Sequence, residues 1–131
     1  MENEIILGDA YEFIKTLPDK SVDLIVTDPP YEYDSLCGGG IGGQREFFNE
    51  IKDSKIDKGF DLSLIDEMMR VLKEPNLYIW VSKSQFRKVL NYACDKYGCK
   101  WDLIVWAKQN PPPLCGNQYL HDAEYCLWLH K

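Results

Sequence analysis

The most informative stretch of this sequence runs from Val22 to Tyr31 and reads VDLIVTDPPY. Its first part, VDLIVT, is an apolar run typical of a buried strand in an open α/β sheet. The two prolines have a fixed φ, donate no N–H and hold the residues before them out of the helical region. The strand is therefore predicted to end in a stiff corner at residues 28–31. This 28–31 corner suits a flat heterocycle with an amino group, which stacks on Tyr31 while the Asp28 carboxylate and the Pro29 carbonyl accept its amino hydrogens.

Length and composition indicate one soluble globular domain spanning residues 1–131. The chain is 45% hydrophobic and 27% charged, and its formal net charge of −6 argues against strong nucleic-acid binding by this chain alone. A local basic groove is still compatible with that charge. Two of the three residues that follow Met1 are acidic, where a signal peptide is basic, and no apolar run approaches the length of a membrane span. We therefore predict a cytoplasmic protein with no membrane partner.

The cysteines and histidines do not predict a metal site. The chain has five cysteines, an odd number, and no C-x-x-C pair, which favours reduced thiols over a disulfide framework or a zinc site. His121 and Glu124 are spaced as two ligands on one face, but two ligands are too few for a closed site. No metal is predicted.

Alternating apolar segments and helical repeats predict an α/β fold. Strands are predicted at residues 4–7, 22–27, 77–81, 101–107 and 124–129. Helices are predicted at residues 11–17, 45–53, 63–72 and 84–97. The segment from Gly38 to Gly43 formally fits G-x-G-x-x-G, but polar residues precede it where a dinucleotide site needs a buried strand. Because these glycines lose much entropy on ordering, we predict a mobile lid over residues 32–43.

The corner residues Asp28-Pro29-Pro30-Tyr31 match the DPPY motif of amino DNA methyltransferases. The stretch from Ile5 to Tyr31 resembles the opening of the β-class, permuted members of that family. The resemblance implies a DNA methyltransferase that moves a methyl group from S-adenosylmethionine to the exocyclic N6 of adenine, in a base flipped out of the duplex. Such enzymes belong to restriction–modification systems or phages.

The resemblance also implies site residues. The corner, Asp28, Pro29, Pro30 and Tyr31, is implied as catalytic. Asp9 and Ala10, together with Asp28, are implied in cofactor binding, and Asp9 can at the same time cap the helix that follows it. The later residues Trp106, Lys108, Asn110, His121 and Glu124 resemble the family motif that lines the target-base pocket.

The family fold is a Rossmann-like, mostly parallel sheet of order 3-2-1-4-5-7-6 with an antiparallel seventh strand. The five predicted strands would be its third to seventh strands in chain order. No Phe-x-Gly-x-Gly turn for the methionine end of the cofactor is present, so the resemblance implies an incomplete, N-terminal catalytic part. Without the missing strands, strand four either has an unpaired edge or is paired by residues 4–7, and we expect a homo-oligomer through the exposed edge.

Other functions are compatible with the same residues. Cytosine N4 is the alternative target within the family. Methyltransferases that act on RNA or on protein glutamine usually have Asn-Pro-Pro-Tyr, and Asp28 disfavours them. A truncated, catalytically silent chain or interaction module is the alternative from a different class, and the absent glycine turn favours it.

Overall fold

The computed structural model describes residues 3–32, 58–111 and 122–131. In chain order the elements are α1 (Ala10–Thr16), β1 (Ile25–Thr27), α2 (Ser63–Val71), β2 (Asn76–Val81), α3 (Lys83–Tyr97), β3 (Lys100–Ala107) and β4 (Ala123–His130). The predicted helix at residues 45–53 and the predicted lid lie outside the described residues, apart from Glu32. No helix in the described ranges is long and apolar enough to cross a bilayer.

The four strands form one sheet of order β1-β2-β4-β3. β1 and β2 are parallel, whereas β4 is antiparallel to both of its neighbours. β1, β2 and β3 therefore run in one direction, and their carboxyl ends meet at one edge of the sheet. This confirms the predicted α/β class and the expected 4-5-7-6 order with an antiparallel seventh strand.

The predicted strand at residues 4–7 is wrong. These residues are not in a strand, and Ile5 and Leu7 are fully exposed. A strand needs a neighbour to pair its amides and carbonyls, and no described strand lies on the outer side of β1. The strand predicted at 22–27 is also shorter than expected, because only Ile25–Thr27 pairs with β2 while Val22 forms an isolated bridge to Leu72.

The core lies on one face of the sheet. Leu77 and Ile79 of β2, with Leu127 and Leu129 of β4, are fully buried in a cluster that includes α2 and α3 residues. A continuous apolar run such as residues 77–81 of β2 is typical of a strand that is covered on both faces. Among the described residues β2 departs from this pattern, because alternate side chains such as Trp80 are only partly buried. The second face carries aromatic side chains that stack across strands, such as Tyr78 and Trp128 at 5.5 Å.

Two polar clusters fix the helices on the covered face. Arg70 of α2 donates to the Leu17 and Ile14 carbonyls at the end of α1, at 2.9 and 3.0 Å, and so links the two helices. Asp66 of α2 reaches α3. Its carboxylate accepts hydrogen bonds from Tyr92, Tyr97 and Lys96, at 2.9, 2.5 and 2.8 Å. Burial and the bond to Asp66 raise the pKa of Tyr97 to about 12.

The start of α3 is also well defined. Ser82 and Gln85 form a capping box, in which each side chain bonds to the backbone N–H of the other residue. Gly98 ends the helix in the left-handed conformation, with φ of 64°. α3 is therefore held at both ends, and its N-terminus lies just after the carboxyl end of β2.

Candidate active site

The predicted site residues that the structure describes beyond β1 lie at one edge of the sheet, where β1, β2 and β3 have their carboxyl ends. The 28–31 corner follows β1, Trp106 lies near the end of β3, and Glu124 lies at the start of the antiparallel β4. Open α/β sheets bind their ligands at this edge. At this edge β1 and β3 are three strand spacings apart, or about 14 Å, with the ends of β2 and β4 between them.

The 28–31 corner has one buried residue and three that reach the surface. Pro29 is buried, Tyr31 is partly buried, and Asp28 and Pro30 are exposed. The Pro30 carbonyl accepts a hydrogen bond from Gln85 Nε2 at 3.0 Å. Burial raises the pKa of the Cys126 thiol, and the nearby Asp28 carboxylate raises it further.

Asp9 caps α1 as the sequence predicts. Its Oδ1 accepts from the backbone N–H of Tyr11 at 2.7 Å and of Glu12 at 3.4 Å. Asp9 and Ala10 are both exposed. A capping role and a cofactor-binding role are compatible, because an exposed carboxylate has a second oxygen that can accept from a ligand amino group.

The predicted base-pocket residues are brought together in part. Lys108 Nζ lies 2.5 Å from Glu124 Oε1, and Glu124 pairs in register with Trp106. The Trp106 ring meets Trp80 of β2 edge to face, with centroids 6.4 Å apart. Trp106 is 57% exposed, so its remaining ring surface can meet a ligand. Asn110 is exposed just beyond β3, and His121 lies outside the described residues.

A family model described as DNA methylase matches residues 22–131 of this chain. The chain belongs to the N6/N4 DNA methylase family. It is 32% identical to the type II methyltransferase M2.DpnII of Streptococcus pneumoniae over 143 residues, which covers 99% of this chain and 52% of the relative. It is 30% identical to M.HinfI of Haemophilus influenzae over 140 residues, which covers 98% of this chain and 38% of the relative. The chain thus spans about half or less of these methyltransferases.

Solved methyltransferase structures share the fold. The chain superposes on the M1.HpyAVI–SAM complex with a TM-score of 0.62 at 24% identity, over 98% of this chain and 53% of that one. It superposes on the cytosine-N4-specific PvuII DNA methyltransferase with a TM-score of 0.62 at 18% identity, over 95% of this chain and 47% of that one. At these identities the likeness supports the methylase fold.

Several residues around the corner of this methylase-family chain are not identified by its sequence. Gln85 is only 4% exposed and contacts the corner directly. Ser84 Oγ donates to the Glu32 carbonyl at 2.9 Å, and Lys88 Nζ lies 2.7 Å from the Glu32 carboxylate. In the sequence, these residues only belong to the start of the helix predicted at 84–97. No local signal connects them to a corner more than fifty residues away.

Among the described residues there is no group of three or more His, Cys, Asp or Glu side chains that could hold a metal ion. Cys94, Cys99 and Cys126 are free thiols. Burial raises the pKa of each of these three thiols, so they are mainly protonated at neutral pH.

Proposed function

We propose that the protein containing this chain is a DNA methyltransferase that transfers a methyl group from S-adenosylmethionine to the exocyclic N6 of adenine. The observation that carries the proposal is the 28–31 corner at the carboxyl end of β1, in a chain that belongs to the DNA methylase family. The type II methyltransferases to which the chain is similar support the same reaction class. Asp28, where other methyltransferases have Ser or Asn, favours adenine in DNA.

In the proposed reaction, the corner residues activate the amino nitrogen of the target base. The lone pair of an exocyclic amino nitrogen is delocalised into the ring, which makes the nitrogen a poor nucleophile. Acceptance of both amino hydrogens, by the Asp28 carboxylate and the Pro29 carbonyl, favours a pyramidal nitrogen with a localised lone pair. The cofactor supplies the electrophilic methyl group. Catalysis by these residues is therefore mainly orientation and electrostatic stabilisation, and Asp28 also accepts the released proton.

The base must leave the duplex to reach this corner. We propose that its ring stacks on Tyr31, which offsets part of the cost of unstacking. Trp106 has an exposed ring at the same edge of the sheet, and the Lys108–Glu124 pair next to it supplies polar groups for the base edge. We propose these residues, with Asn110 and His121, as the lining of the target-base pocket.

Asp9 and Ala10, with Asp28, are proposed to bind the cofactor. An exposed carboxylate beside the N–H groups of α1 is suited to an adenine amino group, which donates two hydrogen bonds. We also infer the β-class, permuted chain order. What supports it is the resemblance of residues 5–31 to the opening of the permuted members.

Methyl incorporation into DNA tests the proposed function. The complete protein that contains these residues is incubated with unmethylated DNA and radiolabelled S-adenosylmethionine, and the DNA is then digested to nucleosides. We expect N6-methyladenine. N4-methylcytosine would replace the adenine assignment with the alternative target, and no labelled nucleoside would contradict a methyltransferase and favour a silent interaction module.

We further propose that the 131-residue chain alone self-associates and binds S-adenosylmethionine weakly. No described strand pairs with the outer edge of β1, and Val26 of this strand is 65% exposed. An open apolar strand edge is a template for pairing with another chain. We expect sedimentation to show more than monomer at micromolar protein, and titration to show no tight cofactor binding.

Substitution of a lysine into each edge strand shows which of the two strands forms the interface. Val26→Lys on β1 should restore the monomer, whereas Val105→Lys on β3, the other edge strand, should not. A wild-type chain that sediments as a monomer and binds the cofactor tightly would contradict this prediction.

A further inference from the structure

We propose that Gln85 is a positioning residue that sets the orientation of the 28–31 corner for methyl transfer. The inference rests on the proposed function and extends it to a residue outside the corner. Gln85 lies in the first turn of α3, and its side chain crosses to the corner to donate to the Pro30 carbonyl at 3.0 Å. At 4% exposure, Gln85 is the buried polar residue of the described core.

The hydrogen bonds of the Gln85 amide define which of its atoms faces the corner. Its Oε1 accepts from the backbone N–H of Ser82 at 3.2 Å and from Ser82 Oγ at 2.9 Å. A backbone N–H can only donate, so Oε1 must face Ser82 and Nε2 must face Pro30. One amide therefore links the cap of α3 to the corner through two different atoms.

A peptide plane connects this hydrogen bond to Tyr31. The Pro30 carbonyl belongs to the planar peptide that also contains the Tyr31 nitrogen. The hydrogen bond from Gln85 to that carbonyl fixes the orientation of the Pro30–Tyr31 peptide plane. The position of the Tyr31 side chain depends on this orientation. Proline restricts φ at positions 29 and 30 but not the rotation of the following peptide. Gln85 supplies the constraint that the two prolines do not.

Neighbouring residues hold the chain at Glu32, just after the corner, and leave room for Gln85. Ser84 Oγ donates to the Glu32 carbonyl at 2.9 Å, and Glu32 also forms a bridge with Lys58. Gly59 has φ of 74°, and a Cβ there would lie 2.8 Å from Gln85 Nε2 and 3.2 Å from Glu32 Cβ. Only glycine fits this position without displacing the amide. Three separate segments of the chain thus meet at Gln85.

Gln85→Glu separates the positioning role from the capping role. Glutamate is as good as glutamine in a capping box, so the cap of α3 is retained. It has no N–H to donate and places a carboxylate against the Pro30 carbonyl. The control is Tyr97→Phe, which removes one hydrogen bond from the opposite end of the same helix. The length of α3 places this change about 20 Å from the corner.

Hydrogen exchange of the complete protein that contains this chain is the first measurement. We expect Gln85→Glu to speed amide exchange in peptides covering residues 22–32 by about tenfold, while Tyr97→Phe leaves those peptides unchanged. Equal exchange in the two variants would overturn the inference. This result depends on no enzymatic activity, so it stands apart from the test of the proposed function.

The second measurement uses the complete protein with S-adenosylmethionine and DNA. We expect Gln85→Glu to lower kcat about 10- to 100-fold with a smaller change in the KM for the cofactor, because a small misplacement of reacting groups is costly while Asp9 and Ala10 are untouched. Tyr97→Phe should retain the wild-type kcat. Faster exchange with an unchanged kcat would overturn the positioning role. A wild-type protein without methyl transfer would instead overturn the proposed function.

Discussion

Replacement of Asp28 with alanine is expected to lower the kcat for adenine methylation by at least about 100-fold in the complete protein. The carboxylate accepts an amino hydrogen more strongly in the transition state than in the ground state, since positive charge develops on the nitrogen as the methyl group arrives. Loss of an interaction that strengthens in the transition state lowers kcat and kcat/KM together. Asp28 is exposed, so its removal should leave the fold intact.

Asp23→Ala is the matched control for this experiment. Asp23 lies before the amino end of β1, whereas Asp28 lies after its carboxyl end. The Asp23 side chain is 79% exposed and forms an ion pair with Lys73. Asp23 is therefore at the end of the strand that is far from the proposed site. Radiolabelled methyl incorporation should be normal in this variant. If Asp28→Ala incorporated methyl groups at the wild-type rate, the role proposed for Asp28 would be wrong.

Leu127→Ala is expected to cause the largest loss of stability, about 2–5 kcal/mol in the free energy of unfolding. Leu127 is fully buried in β4, between β2 and β3, and belongs to the core cluster under the helices. Its truncation removes the transfer free energy of the side chain and leaves a cavity that the surrounding strands cannot close.

Leu103→Ala provides a control with the same chemical change. Leu103 pairs in register with Leu127 on the neighbouring strand β3, but it is 41% exposed. We expect it to cost well under half as much as Leu127→Ala, because it leaves no enclosed cavity. Urea denaturation followed by circular dichroism measures both variants. Equal losses would show that the sheet is not packed as described.

Local patterns predicted most elements of this chain. Helical spacing of apolar residues predicted α1, α2 and α3, and apolar runs predicted β2, β3 and β4 at nearly their observed bounds. The same reasoning failed at residues 4–7, where an apolar run is exposed and unpaired. Apolar character predicts a tendency to form a strand, but a strand forms only where a partner supplies its hydrogen bonds.

The covering of the sheet could not be predicted from apolar character alone. β2 is apolar from Leu77 to Val81, yet only Leu77, Ile79 and Val81 are fully buried. The side chains between them form an aromatic face with partners on β4, such as Tyr78 with Trp128. Which face is covered depends on where the helices pack, and that placement is a long-range property.

The stiff 28–31 corner and the cap of α1 by Asp9 follow from the sequence, because proline geometry and capping act within a few residues. The contact between Gln85 and Pro30 joins residues 55 positions apart, and Ser82 and Gln85 read along the chain only as a helix start. Parallel pairing of β1 with β2 brings the start of α3 beside the corner. That pairing comes from burial of one sheet face against α2 and α3, a free energy spread over many residues, so only the tertiary structure could place Gln85 at the corner.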